Sequence, residues 1–525
     1  MKNLIVTTLL FASSLIMAQN FNISNQVTFG GDKEDYINSI IHTKDNGILV
    51  AGPTYSGATD DKTDTSRGSY DYLVVKYDLD YNELWQKTIG GDASDYLFDA
   101  IELSDGSYLL GGYSASEISG DKTIVPIGGI DYWVVKLSPT GDIIWQNVYG
   151  GEGGDLVNSM LELNDGSIIL CGTSSSNTSG TKTEDSKGGY DYWIVKIDAN
   201  GNQIWDKTIG SSAYDKYPEI VKDNNEDLYI VGYTTGNISG DKTENNYDNS
   251  QDIWVVKIDT DGNILWDKTI GSNETEYTAL AVYNSGYIYI ASKSDGEIGG
   301  LKTEPNYNST GGYTDIWLIK MDLQGNIIWD KTIGGTRGDL PSSISVIDDA
   351  TLLLCNNSGS ETSGDKSEDN IGWGDHWLVK IDTSGQIIWD KTIGGLEEDW
   401  AAQAIVVNEN QFIIGGNSKS GISGDKTDYC RGEEDFWIYT LDVSQDILEY
   451  PTASNFRIYP NPANDYLIFK NNSLKVKKGK IIDLTNKIVK QFTIETSDTK
   501  ISIDDLSKGI YLVKIGNQTN KLIIQ

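Results

Sequence analysis

Cysteine and histidine are nearly absent from this chain of 525 residues, which has three of the first and two of the second. Cys171, Cys355 and Cys430 are too few, and odd in number, to form a disulfide framework. Cys171 and Cys355 end the runs SIIL and TLLL, where a sister stretch has Gly111, so they read as small buried strand residues. With only His42 and His376, no multi-histidine metal centre can be built. The chain has 56 Gly and only 9 Pro, but Gly never recurs at every third place, which excludes collagen. Beyond the N-terminus no segment reaches the ~18 apolar residues that cross a bilayer as a helix. There is no GxSxG, no HExxH and no phosphate-binding glycine loop. Basic residues are short too: 41 Lys and Arg against 77 Asp and Glu leave a net charge of -36. Such a field repels nucleic-acid phosphates and anionic lipid, so nucleic acid is excluded as a partner.

What the chain does contain is unevenly distributed. Residues 1–18 place one Lys before an apolar run from Leu4 to Met17, the pattern of a secretory signal peptide. No cysteine stands at the expected cleavage point, which argues against lipoprotein anchoring. Residues 459–525 hold eleven Lys and six Asp or Glu, a charge of +5, so the remainder carries -41. That change of sign marks a boundary. The expected organisation is a signal peptide at 1–18, a large domain at 19–447, a linker at 448–458 and a small C-terminal domain at 459–525.

The large domain repeats itself. The triplet DYW at Asp131 and Asp191 has variants starting at Asp71, Asp252, Asp315, Asp375 and Asp435, at spacings of 60, 60, 61, 63, 60 and 60 residues. Each unit carries four runs of strand character, in the second unit LFDAIEL, SYLLGGYS, DYWVVKL and DIIWQNVYG. Asp105-Gly106 is a hairpin signal, and Gly141 is free to take a positive φ in the turn before the fourth run. Seven four-stranded units predict an all-β, seven-bladed β-propeller, since radial closure avoids a large exposed edge. The ends support closure. Six units have a fourth strand centred on Trp85, Trp145, Trp205, Trp266, Trp329 and Trp389, and the seventh lacks one. NQVTFGG at residues 25–31 aligns with WQKTIGG at 85–91, so the N-terminal segment is expected to supply the missing outer strand.

Three series recur in every unit. One is the lysine of the SGDKT-like loop: Lys62, Lys122, Lys182, Lys242, Lys302, Lys366 and Lys426. The second opens each unit at Asp35, Asp95, Asp155, Asp215, Glu276, Asp339 and Asp399, and the third is the Asp that opens each DYW. All are expected on or near one rim, because strand direction alternates. Two readings stand. The acids form Asx-turns and the lysines tie blades together, or clusters such as Asp95, Asp121 and Asp131 hold structural calcium. Apart from that calcium, no cofactor is expected.

A group that all seven units need is needed by the fold, so a ligand site is sought where the copies differ. The loop after the second strand differs most and places Tyr307, Tyr313, Trp373, Tyr429 and Arg431 beside many Asn and Asp, with His376 just after it. His376 takes the place of Tyr132 and is expected on a blade surface. Aromatic faces with short polar side chains suit a glycan or protein surface. A non-catalytic adhesion or binding protein of the cell surface is the leading expectation. A secreted polysaccharide hydrolase using paired carboxylates is a rival, and a structural accessory of surface or gliding machinery is another.

The basic tail alternates apolar and polar residues between turn signals, which predicts a small β-sandwich. Its motifs are Tyr459-Pro460-Asn461-Pro462, the run IIDLTNKIV with Asp483, the stretch from Leu506 to Tyr511 with Gly509, and the terminal KLIIQ. On these motifs residues 451–525 resemble the type A C-terminal sorting domain of the type IX secretion system of Bacteroidota. The resemblance implies passage across the periplasm and outer membrane, with the type IX translocon and its outer-membrane shuttle barrel as partners. The repeats resemble uncharacterised regions frequent in such surface proteins.

Overall fold

A computed structural model describes residues 19–525 apart from 308–311, 446–455, 472–476, 484–486, 495–497 and 516–517. The expected signal peptide at 1–18, and most of the expected linker, lie outside the described residues. One compact unit runs Phe21–Val443, and the other contains Ser444–Gln525.

The larger unit is a seven-bladed β-propeller of four-stranded antiparallel sheets. Blade 2 is typical: inner strand Asp95–Glu102, then Tyr108–Ser114, Asp131–Leu137 and outer strand Ile143–Tyr149. Asp105-Gly106 makes the first hairpin with φ +81° at Gly106, and Gly141 takes φ +82° before the outer strand. Inner strands of successive blades touch around the ring, including Asp399–Asn408 against Ser39–His42, which closes it.

Closure uses the N-terminal segment. Gln19–Phe29 pairs with Asp435–Gln445, followed by Gln411–Ser418 and Asp399–Asn408. Side-chain bonds confirm the register. In blade 2 the Trp133 indole donates to Gln146 Oε1 at 3.2 Å, and in blade 3 the Trp193 indole donates to Asp206 Oδ2 at 3.0 Å. In the last blade the Trp437 indole donates to Gln26 Oε1 at 3.1 Å. Gln26, 411 residues away in the chain, thus stands where Gln146 stands.

Both faces of a blade are covered by neighbours, so the third strands are buried throughout. All seven residues of Asp131–Leu137 are buried. Trp133, Val135 and Leu137 pack toward blade 1 with Leu49 and Val74, while Tyr132 and Val134 pack toward blade 3 with Leu170 and Trp193. This corrects the expectation for His376. It lies at the Tyr132 position, fully buried, with Nδ1 2.9 Å from the Tyr439 hydroxyl.

The smaller unit has two sheets, Phe456–Tyr459 with Tyr466–Asn471 and Asp498–Ser502, and Ile488–Ile494 with Lys477–Ile482, Gly509–Ile515 and Gln518–Ile524. Leu467, Phe469, Ile481, Val513 and Leu522 from the two sheets share one apolar core.

Candidate functional sites

The recurring acids stand at the blade boundaries, while each recurring lysine bonds within its own blade. Asp95 Oδ2 accepts from the Gly91 amide at 2.7 Å and the Ser116 hydroxyl at 2.9 Å. Asp131 accepts from the Ile127 amide at 2.8 Å. Asp121 Oδ2 meets the Arg67 guanidinium of the preceding blade at 3.0 Å. These three were the candidate calcium ligands. Each is engaged by protein donors, and among the described residues no group of three or more His, Cys, Asp or Glu side chains is placed to hold a metal ion. The lysines, expected on or near the rim as ties between blades, are 1–2% exposed. Lys122 Nζ donates to the Ser116 carbonyl at 2.6 Å, and Lys182 Nζ lies 5.2 Å from the centre of the Trp193 ring. Desolvation pushes Lys182, Lys242 and Lys302 down to about 8, against the pull of nearby acids.

Each boundary also sets two acids of adjacent blades together. Burial, helped by the Asp95 charge, drives Asp71 up to about 7, and burial brings Asp315 and Glu276 to about 7 as well. Oδ1 of Asp71 and Oδ1 of Asp95 are both buried without a hydrogen-bond donor. Burial explains why a carboxyl here favours the protonated form.

The rim residues singled out in the sequence separate into four groups. Tyr307 and Arg431 are boundary staples. The Tyr307 amide donates to Asp315 at 2.6 Å, its ring lies over Gly364 of the next blade, and Asp365 raises its hydroxyl pKa together with burial. Arg431 pairs with Asp61 of blade 1 at 2.8 Å and Asp428 at 2.9 Å, which joins the last blade to the first. His376 is interior, and desolvation holds its imidazole down at about 3, so it is neutral. Tyr429 is exposed on the blade 7 loop. Only Tyr313 and Trp373 come together, in a cleft of about 410 Å³.

That cleft is contributed by blades 5, 6 and 7. Tyr313 and Trp373 come from the long loops, and Trp400 from the start of the last inner strand. Trp373 is 76% exposed, Tyr313 47% and Trp400 38%, so three aromatic faces are presented to solvent around one concavity. Arg337 lines it and forms no ion pair among the described residues. Asn357 is fixed by accepting from the Ala401 amide at 2.5 Å and donating to Ser342 Oγ at 2.8 Å. The two acids of the cleft are engaged: Glu398 with Lys419 at 2.8 Å, and Asp399 with the Ser420 hydroxyl at 2.9 Å and the Gly395 amide at 2.6 Å. Trp400, Arg337 and Asn357 were missed in the sequence. The sister positions of Trp400 hold Tyr36, Tyr96, Leu156, Lys216, Tyr277 and Leu340, so an aromatic is common there and the copies alone do not single Trp400 out.

In the smaller unit the sorting motif ties down the C-terminal strand. Asn461 accepts from the Ile523 amide at 2.9 Å and donates to the Lys521 carbonyl at 2.6 Å. Asp483 caps its turn by accepting from the Lys487 amide at 3.0 Å. The Tyr511 hydroxyl donates to the Ser507 carbonyl at 2.8 Å, and Gly509 packs beside the Tyr511 ring.

Comparison with known proteins follows this division. The regulatory protein FlaEY of Caulobacter vibrioides is 22% identical over 379 residues, 65% of this chain and 38% of that protein. Beta-agarase A of Zobellia galactanivorans is 31% identical over 83 residues, 15% of each chain. The chain spans between 15% and 38% of the length of the curated relatives it matches. Among solved structures, PorZ, a surface component of the type IX secretion system of Porphyromonas gingivalis, aligns over 95% of this chain and 60% of its own at 12% identity and a TM-score of 0.39. Residues 457–525 match the model of the secretion system C-terminal sorting domain. They are a type IX secretion system C-terminal sorting domain, borne by a chain whose other compact unit is a seven-bladed β-propeller.

Proposed function

We propose that the propeller binds an extracellular glycan without cleaving it, in the cleft formed by Tyr313, Trp373 and Trp400. The sorting domain engages the type IX machinery and sends the chain through the outer membrane, to the cell surface or the medium. The reading rests on one observation: three exposed aromatic faces from three blades surround a concavity that also holds Arg337, without an ion pair among the described residues, and the fixed Asn357. Rings of this kind stack on the apolar faces of sugars, and amides and guanidinium groups direct hydroxyls. Cleavage would need two free carboxyl groups about 5–9 Å apart across the scissile bond. Glu398 and Asp399 are committed to Lys419 and to Ser420 and Gly395, which supports binding over hydrolysis.

A glycan array with the full chain supplies the ligand, and the variant Trp373→Ala/Tyr313→Ala tests the site. Loss of a central aromatic costs ~2 kcal/mol or more, about thirtyfold in affinity. Full affinity in the double variant would reject this cleft. Product accumulating from any bound glycan would reject pure binding.

A further inference from the structure

The propeller axis holds a second cavity, of about 270 Å³, to which all seven inner strands contribute. Beta-bulges at Phe98, Asn158, Ser342 and Ala402 aim these residues toward it. Around it runs a ring of latches. Counting from the acid that opens each unit, the fifth residues are Ser39, Asp99, Ser159, Glu219, Leu280, Ser343 and Gln403. Asp99 accepts from the Met160 amide of the next blade at 2.8 Å, and Glu219 from the Ala281 amide at 2.6 Å. Ser159 accepts from Ile220 at 3.4 Å, Ser343 from Ala404 at 3.1 Å and Gln403 from Ile40 at 3.0 Å. Ser39 instead donates to the Ala100 carbonyl at 3.1 Å, and Leu280 cannot latch at all.

A neutral hydroxyl or amide therefore suffices for the latch, and one boundary does without it. The fold does not require a carboxylate at this place, yet two of the seven positions carry one. Both side chains are half-buried in the cavity wall, where the carboxylate form is disfavoured. Desolvation pushes Asp99 up to about 7 and Glu219 up to about 8, and Asp99 adds to the rise at Glu219. No Lys, Arg or His lines the cavity to offset them. The second oxygen of Glu219 has no hydrogen-bond partner among the described residues. The remaining walls include Asn38, Asn158, Ser159, Ser342 and Gln403, which offer hydroxyl and amide groups.

We infer that the axial cavity is a binding site for a protonated amino sugar, with Asp99 and Glu219 receiving the ammonium group and the serine and amide side chains receiving its hydroxyls. Two carboxylates select a compact cation. The wall is mixed, with amides and serines beside Phe98, Leu280 and Ile344, which suits the hydroxyls and the apolar face of a sugar ring better than a bare alkyl stem, and the volume, just under the usual range of small-molecule pockets (~300 Å³ upward), limits the guest to about one sugar ring. The inference stands apart from the rim cleft, whose lining residues are different, so either can fail without the other.

Calorimetric titration of the full chain tests it with glucosamine, glucose and n-butylamine as probes. Glucosamine is expected to bind at least about tenfold more tightly than either of the others. In Asp99→Asn/Glu219→Gln, where each amide oxygen still accepts the neighbouring blade's N–H, glucosamine affinity should fall at least about tenfold. Trp373→Ala/Tyr313→Ala should leave it unchanged. Absence of glucosamine binding, equal affinity for glucose, or an unaltered affinity in the carboxylate variant would overturn the site. Equal affinity for butylamine would overturn the sugar assignment. Should the double variant fail to fold, Glu219→Gln alone and the wild-type preference for glucosamine over glucose carry the same decision.

Discussion

Replacing Gln26 with alanine should loosen the ring as much as breaking any internal blade. Gln26 Oε1 accepts from the Trp437 indole at 3.1 Å and the Thr427 amide at 3.0 Å, and Nε2 donates to the Asp425 carbonyl at 3.0 Å. Gln146 makes the same three bonds in blade 2, to Trp133 at 3.2 Å, Thr123 at 3.2 Å and Asp121 at 2.7 Å. At ~1 kcal/mol net per bond, each truncation removes about 3 kcal/mol, much of it from the stranded indole N–H. Unfolding entropy of ~2.1 cal/mol/K per residue, summed over the unit Phe21–Val443, converts this to a fall of about 3 °C if the ring melts as one body. Deleting residues 19–29 also removes buried Phe29 and the Phe21 ring lying 5.3 Å from Trp389, so its effect should be several times larger. Differential scanning calorimetry of the full chain reads all three. If Gln26→Ala melts like the wild type while Gln146→Ala melts early, the N-terminal strand does not close the blade and the argument fails.

Three further outcomes are expected. The boundary acids have folded pKa values raised above their unfolded ones, so the stability they lend is complete below about pH 4 and lost as pH rises through about 7. The propeller midpoint should therefore fall between pH 5 and 8, less steeply in Asp71→Asn, and a midpoint rising over that range would contradict the assignment. His376→Tyr alone should destabilise by ~1–3 kcal/mol through overpacking against Tyr439, and adding Tyr439→Val, the residue type at Val195, should recover most of it; additive effects in the double-mutant cycle would show the two are not a matched pair. Fusing residues 446–525 to a periplasmic fluorescent protein should export it from a type IX-competent cell, and retention beside an exported control would reject the tail as sufficient.

The fold was legible because the chain states it seven times. Strand number, hairpin glycines and the missing outer strand all follow from comparing the copies with one another. Side-chain direction was less legible. An alternating strand read in isolation has one face for the core and one for water, so His376 was set on a surface. In a radial array each sheet lies between two others, both faces are covered, and DYWVVKL is buried at every position. The direction of the lysines was also hard to read. The sequence suggests ties between blades, but Gly120, at φ +56°, turns the loop so that Lys122 runs back into its own blade, where the Ser116 carbonyl and the charges of Asp95 and Asp131 receive it. Of the six rim candidates, two met in a cleft. The others could not be separated in sequence, because stapling the next blade and facing solvent use the same loop.

The comparison of copies also has a sharper form than a search for variable loops. Loops vary because little constrains them, so their differences are weak evidence of use. A position inside the inner strand is constrained by the latch it makes, and there a difference means more. Serine, glutamine and even leucine satisfy the fold at five such positions. Aspartate and glutamate do so at Asp99 and Glu219 only by accepting a desolvation that the neutral residues avoid. Trp400 stands out at the rim by placement rather than by departure from its sisters, three of which are tyrosines: it stands on an inner strand, is 38% exposed, and shares a cleft with two loop aromatics. In a repeat protein a ligand site is best sought where a residue departs from its sisters at a position the scaffold holds fixed and where the departure opposes stability. By that criterion the axis qualifies, the blade 5–7 cleft rests instead on the meeting of three exposed aromatics, and the exposed Tyr429, on a loop free to vary, has neither support.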